Sequence, residues 1–272
     1  IDENEMSPMM PISFTARDGL TVNGYLTIPK NSDGKNLPLI VNPHGGPASR
    51  DIWGYRGETQ FLASRGYAVL SMNFRGSTGY GRKHVIEGNK QWGRKMQDDV
   101  TDSVNWAVEQ GYANPDKVCI HGASYGGYAV MAGITKTPKM YKCAVNYVGV
   151  TDMGLLFSKM PKQWEIWEEQ QKVEIGDYDN EKDYLDAVSP INLVDKIETP
   201  LYIVHGVRDW RVPIQHAQKL RKELDKNGKK LGEDYWWLVK GDEGHGFVKE
   251  ANNMELYTEL EKFFGRYIGE DS

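Results

Sequence analysis

The sequence predicts a mostly parallel α/β sheet with helices on both faces and an antiparallel hairpin at its start. Two observations carry that expectation. Short apolar, strand-like runs alternate with helix-periodic runs along most of the 272 residues, the pattern of a parallel sheet whose crossover helices cover it from both sides. The first two strand-like runs flank a tight Asp18-Gly19 turn, which marks a hairpin.

The elements follow in chain order. "ISFTARDGLTVNGYLTIP" alternates on both sides of its turn. "LPLIVNPHGG" reads as a buried strand ending in a glycine loop, with a helix near Thr59–Arg65 after it. "GYAVLSMNF" is the next strand, and "MQDDVTDSVNWAVEQGY" has helical periodicity closed by a glycine. "KVCIHG" is a strand, Tyr125–Thr135 a helix and "KCAVNYVGV" another strand. "PLYIVHG", the helix Ile214–Lys226, the strand "DYWWLVKG" and the amphipathic helix Asn253–Tyr267 complete the alternation. Only the interval from about Thr151 to Ser189 breaks the rhythm. It is too long for an ordinary connection and has helical patterning of its own, so it is expected to cap a ligand crevice.

Composition bounds the rest. With 39% hydrophobic residues the chain can bury a large core, and the expectation is a single domain over residues 1–272. Its 33 basic and 38 acidic residues give a net charge of −5 without long runs of either sign, so neither nucleic acid nor a membrane surface is an expected partner. No stretch reaches the roughly 18 apolar residues of a membrane span, and "IDENEMSPMM" lacks the apolar core of a signal peptide. The start at Ile1 suggests a processed or excised piece, so compartment stays open. Cys119 and Cys143 both lie in apolar strand-like runs and are expected to be buried free thiols rather than a disulfide or a metal site.

The chemistry centres on Gly122-Ala123-Ser124-Tyr125-Gly126, directly after an apolar run and directly before a helix. A serine hydroxyl needs an adjacent base, and the base an orienting acid. On a strand-to-helix elbow, those partners should follow at the ends of later strands, acid first and histidine second. Asp209 follows "LYIVHG" and His245 follows "YWWLVKG". The three therefore fall on one edge of a parallel sheet, in the order required. A tetrahedral intermediate also needs N–H donors. Tyr125, next to the serine, should supply one and Gly46 of "HGGP" the other, although a glycine loop needed only for its dihedrals fits the same residues.

The other histidines read as structural. His121 and His205 end apolar strands and are expected in the core, His44 should shape the glycine loop, and His84 and His216 fall in helix-like segments expected at the surface. None has metal-ligand spacing, so no metal or cofactor is expected.

"HGGP", "NFRGSTGYG", "WGRKMQDDV", "GASYGGY", "SPINLVDKIETPLYIVHGVRDWRVP" and "GHGF", in this order, resemble the hydrolase domain of the prolyl oligopeptidase family, nearest its acylaminoacyl-peptidase and dipeptidyl-peptidase-like members. The likeness spans nearly the whole chain. It implies an α/β-hydrolase fold, a Ser124–Asp209–His245 triad, and oxyanion donors at Gly46 and Tyr125. It also matches Arg211 to an arginine that binds a substrate carbonyl, with a salt bridge inside the loop as the alternative. Other branches carry a tyrosine where this chain has His44, so that hydroxyl donor is absent. The first side-chain pocket would be lined by Tyr125, Val212 and Trp164 or Trp167 of the cap, the tryptophans serving either ligand contact or cap packing. Family members usually carry a β-propeller ahead of this domain, so the resemblance implies a longer parent protein. The function expected is a serine peptidase that cleaves short peptides or acylated amino acids, without a cofactor. A carboxylesterase and a non-catalytic binding scaffold are the alternatives, and a homo-oligomer is compatible with all three.

Overall fold

The computed structural model describes residues 2–269. Eight strands form one sheet in the order β1-β2-β4-β3-β5-β6-β7-β8. They are β1 (Met9–Thr15), β2 (Thr21–Thr27), β3 (Leu37–Val41), β4 (Ala68–Asn73), β5 (Ala113–Ala123), β6 (Cys143–Tyr147), β7 (Leu201–Gly206) and β8 (Tyr235–Lys240). The pairs β1–β2 and β2–β4 are antiparallel and every other pair is parallel. The expected hairpin and mostly parallel sheet are both present.

Alternation along the apolar strands sends successive side chains to opposite faces. Leu39, Val41, Leu70, Ile120 and Ala144 join one core cluster, while their neighbours Ile40, Val69, Cys119 and Val145 join the other. The first face is covered by α3 (Lys95–Glu109), α4 (Tyr125–Lys136) and α8 (Gln215–Lys226), the second by α1 (Gly57–Ser64) and α9 (Glu250–Ile268). Full burial of a side chain such as Phe264 contributes about 1.5–3 kcal/mol, so two such clusters supply most of what orders the chain. A short helix, α2 (Arg82–Ile86), precedes α3. The interval expected as a cap contains α5 (Met153–Ser158), a 3₁₀ turn (Lys162–Trp167), α6 (Glu168–Glu174) and α7 (Lys182–Ala187).

A buried charge cluster ties the hairpin to this frame. The Arg75 guanidinium, 1% exposed, donates to both Asp99 oxygens at 2.8 and 2.6 Å and to both Asp18 oxygens at 2.8 and 2.9 Å. The turn that closes β1–β2 is thereby anchored to the end of β4 and to α3.

Two sequence expectations are corrected. Cys119 and Cys143 are not free thiols. They stand opposite each other in the β5–β6 register, with Cα atoms 4.7 Å apart, and form a disulfide. Residue type could not reveal that register. His84 and His216 are not at the surface but 5% and 0% exposed. His84 Nε2 faces the Asn73 and Phe74 carbonyls, and His216 Nδ1 accepts the Thr151 N–H at 3.2 Å. Both rings lie on the inner faces of their helices.

Strand order locates the crevice. The chain runs from β3 to β4 on one side and returns to place β5 on the other. Loops leaving β3 and β5 therefore diverge at the carboxyl edge, which is where such sheets bind ligands. The loops after β7 and β8 leave the same edge.

Candidate active site

Ser124 stands between β5 and α4 with φ 60° and ψ −121°, a conformation an L residue holds only when its surroundings enforce it. Its N–H donates to the Tyr147 carbonyl at 3.0 Å and its carbonyl accepts the Tyr128 N–H at 3.0 Å. The flanking glycines have steric causes. A Cβ on Gly122 would lie 2.6 Å from the Gly126 carbonyl, and one on Gly126 would run into the Pro43 carbonyl oxygen. The elbow is thus packed between the next turn of its own helix and the loop after β3, and only glycine fits at either end.

Asp209 and His245 meet in the loops after β7 and β8. His245 Nδ1 lies 2.7 Å from Asp209 Oδ2, while Asp209 Oδ1 accepts the Arg211 and Val212 N–H groups, each at 2.9 Å. The carboxylate side chain is fully buried. His205 Nε2 faces the Val212 carbonyl at 2.8 Å, so this neighbouring ring supports the acid loop from below, and burial holds its pKa under the ordinary value.

The histidine loop is tied down independently. Glu243, 1% exposed, accepts N–H bonds from Val248 and Lys249 at 3.0 Å and from the Asn252 amide at 2.7 Å. Burial works against ionisation of this carboxyl, but those hydrogen bonds win and hold its pKa below the ordinary value. The Glu243 carbonyl accepts the Arg208 N–H at 2.8 Å, joining the two loops. The Tyr147 hydroxyl accepts the Phe247 N–H, so one residue at the end of β6 braces both the elbow and the histidine loop.

Ser124, His245, Gly46, Tyr125, Arg211, Val212, Trp164 and Trp167 all line one cavity of about 640 Å³. Asp209 stands behind His245. Among the described residues Ser124 Oγ makes no hydrogen bond. Gly46 has φ 129°, and its N–H makes no backbone hydrogen bond among the described residues. Tyr125 opens α4, where the first N–H groups have no intrahelical acceptor and the helix dipole favours negative charge. His44 shapes the glycine loop as expected. Its Nδ1 lies 2.7 Å from the Gly45 carbonyl and its Nε2 2.9 Å from Ser77 Oγ, and burial pushes its pKa down to about 4.

Arg211 forms no ion pair among the described residues. Its guanidinium lies over the Trp210 ring, 5.2 Å from the centroid, and the Trp210 ring meets Trp164 edge-on at 6.1 Å. Tyr125 is buried against Trp92 at 4.5 Å and Phe74 at 5.2 Å, so its ring forms cavity wall. Sequence reasoning missed Trp92, Val150, Leu156, Glu174 and Ile175 on the same cavity. Trp92 lies within the quoted "WGRKMQDDV", but nothing local to that run assigns it to a pocket.

Residues 53–271 match the model of the family described as the prolyl oligopeptidase family. The chain is 39% identical to dipeptidyl aminopeptidase BIII of Pseudoxanthomonas mexicana, covering 99% of this chain and 40% of that protein. It is 33% identical to dipeptidyl peptidase family member 6 of Caenorhabditis elegans, covering 97% and 38% respectively. A puromycin-hydrolyzing peptidase of Mycobacterium tuberculosis superposes with a TM-score of 0.91 at 26% identity, over 99% of this chain and 40% of its own. The chain therefore spans about 40% of the length of these relatives.

Proposed function

This chain belongs to the prolyl oligopeptidase family, and we propose that it is a serine peptidase unit that cleaves short peptides or acylated amino acids through an acyl-enzyme. The observation that carries the reading is the Asp209–His245 pair at 2.7 Å, set on the cavity that Ser124 also lines from its strained elbow. In this mechanism Ser124 Oγ attacks the scissile carbonyl carbon and passes its proton to His245 Nε2. The Gly46 and Tyr125 N–H groups hold the resulting oxyanion. The C–N bond then breaks as His245 returns the proton to the leaving amine. Water repeats the sequence on the acyl-enzyme and frees Ser124. Asp209, held in place by the Arg211 and Val212 N–H bonds to Oδ1, holds the ring in the tautomer that leaves Nε2 unprotonated. Arg211 forms no ion pair among the described residues and is assigned to a substrate carbonyl.

The names of the dipeptidyl relatives support amide substrates with short acyl portions. The test compares aminoacyl arylamides with matched esters, because an amine must be protonated as it departs and an alkoxide leaves more easily. Arylamide turnover that is abolished in Ser124→Ala, together with fluorophosphonate labelling of Ser124, supports the peptidase. Ester turnover with negligible arylamide turnover assigns an esterase, and absence of labelling on folded protein removes catalysis altogether.

A further inference from the structure

The Gly46 N–H, which has no backbone acceptor among the described residues, belongs to the same peptide group as the Gly45 carbonyl. A trans peptide is planar, with its C=O and N–H pointing in opposite directions, so whatever fixes the carbonyl also aims the N–H. This group stands beside the nucleophile. A Cβ on Gly45 would lie 3.1 Å from the Ala123 carbonyl oxygen and 3.4 Å from Ser124 Cβ.

The Gly45 carbonyl is held by the ring of His44. His44 Nδ1 lies 2.7 Å from it, and a carbonyl oxygen only accepts, so Nδ1 carries a proton. The ring is buried and stacked on Phe74, with centroids 4.4 Å apart, and it is neutral because burial pushes its pKa down to about 4. A neutral ring protonated at Nδ1 has a bare Nε2. Ser77 Oγ, on a fully buried residue, lies 2.9 Å from that nitrogen and therefore donates to it. The Ser77 N–H donates in turn to the Phe74 carbonyl at 3.0 Å, which fixes the serine on the loop after β4. The donors then run in one direction, from Ser77 O–H to His44 Nε2, from His44 Nδ1–H to the Gly45 carbonyl, and from the Gly46 N–H towards the cavity. In such a chain each hydrogen bond polarises the next, the more so away from water.

We propose that His44 is a positioning residue for the reaction, aiming and polarising the Gly46 N–H at the developing oxyanion through the Gly45 carbonyl, with Ser77 selecting its tautomer. Gly46 lines the cavity and His44 does not, and both ring nitrogens are already engaged, so His44 acts without touching the substrate. The proposal rests on the serine hydrolase reading and on Gly46 as its donor.

The experiment measures kcat/KM for 4-nitrophenyl butyrate, and inhibition by hexyl trifluoromethyl ketone and the matching alcohol, on wild type, His44→Phe, His44→Asn and Ser77→Ala. Ser124 Oγ adds to the ketone carbon and the carbonyl oxygen becomes an oxyanion, whereas the alcohol binds without one. Outright loss of an oxyanion donor costs about 10²–10³ in rate, so a donor released from its aim should cost about ten- to hundredfold. H44F keeps an aromatic ring against Phe74 and removes both hydrogen bonds. Its kcat/KM should fall by that factor and its ketone Ki rise equally, with the alcohol Ki unchanged. Asparagine places an amide donor near the former Nδ1, so H44N should recover most of the loss. S77A keeps the ring but frees its tautomer and should lose about three- to tenfold. H44F within about twofold of wild type, or ketone and alcohol weakened alike in H44F and S77A, overturns the proposal. Two-bond proton–nitrogen correlation spectra of wild type read the tautomer without turnover and without any variant having to fold. His44 protonated at Nδ1 and bare at Nε2 is the expected result at neutral pH, and the reverse overturns the proposal. Wild type that neither hydrolyses the ester nor takes a fluorophosphonate on Ser124 would refute the serine hydrolase reading, and the proposal with it; an active wild type with unresponsive variants refutes the proposal alone.

Discussion

Replacing Asp209 with Asn tests the chemistry with the least disturbance of the fold. Asparagine has nearly the same volume, and its Oδ1 can go on accepting the Arg211 and Val212 N–H bonds at 2.9 Å. The change falls on the other atom, where an NH₂ replaces the oxygen that lies 2.7 Å from His245 Nδ1. An amide nitrogen only donates, so His245 Nδ1 must become the acceptor and the ring proton moves to Nε2. The nitrogen facing the cavity then carries a hydrogen and cannot take one from Ser124. In other enzymes the same tautomer reversal costs about 10⁴ in kcat, which is about 5 kcal/mol of barrier. The assay is kcat/KM on an activated ester and an arylamide, with the rate of fluorophosphonate labelling as a second readout. Circular dichroism and urea unfolding should stay near wild type. Asp242→Asn, at an exposed carboxylate three residues from His245, is the control and should stay within about twofold. A D209N enzyme within tenfold of wild type would refute the assignment of Asp209 as the orienting acid.

Other consequences follow from the same structure. Arg75→Met leaves the fully buried Asp99 carboxylate without its partner, and breaking such a pair costs about 3–5 kcal/mol in urea unfolding; a loss under 1 kcal/mol would show that the cluster does not anchor the hairpin. Gly126→Ala drives a methyl into the Pro43 carbonyl, so the elbow must open; the expected result is loss of labelling at Ser124 with destabilisation of about 3 kcal/mol or more, and a fully active variant would contradict the packing. His44 and His216 are both pushed down to about 4 by burial, from an ordinary value of 6.5. The folded state therefore prefers both rings neutral, and their contribution is full above about pH 6.5 and is lost as pH falls towards 4. Urea unfolding should weaken across that window by up to about 1.4 kcal/mol per pH unit for each ring, and a flat profile would refute the burial argument.

Much of this protein is legible without coordinates. Period-two and period-3.6 apolar patterns depend only on which residues must leave water, so every strand of the sheet and its main helices could be read along the chain, with boundaries off by a few residues; α9 starts at Glu250, three residues before the expected Asn253. The elbow was legible because only glycine tolerates the contacts around Gly122 and Gly126. Asp209 and His245 were legible because parallel strands bring their carboxyl ends to a single edge, so order along the chain becomes proximity in space. What depended on lateral register was invisible. The Cys119–Cys143 bond requires β5 and β6 to align those two positions, and no local property of either residue encodes the alignment. The burial of His216 depends on which face of α8 meets the sheet. Glu174 belongs to "EEQQKVE", a run whose composition is that of a solvated helix. Only the way this segment folds back towards Trp92 puts Glu174 on the cavity, because that placement arises from packing between segments about eighty residues apart along the chain.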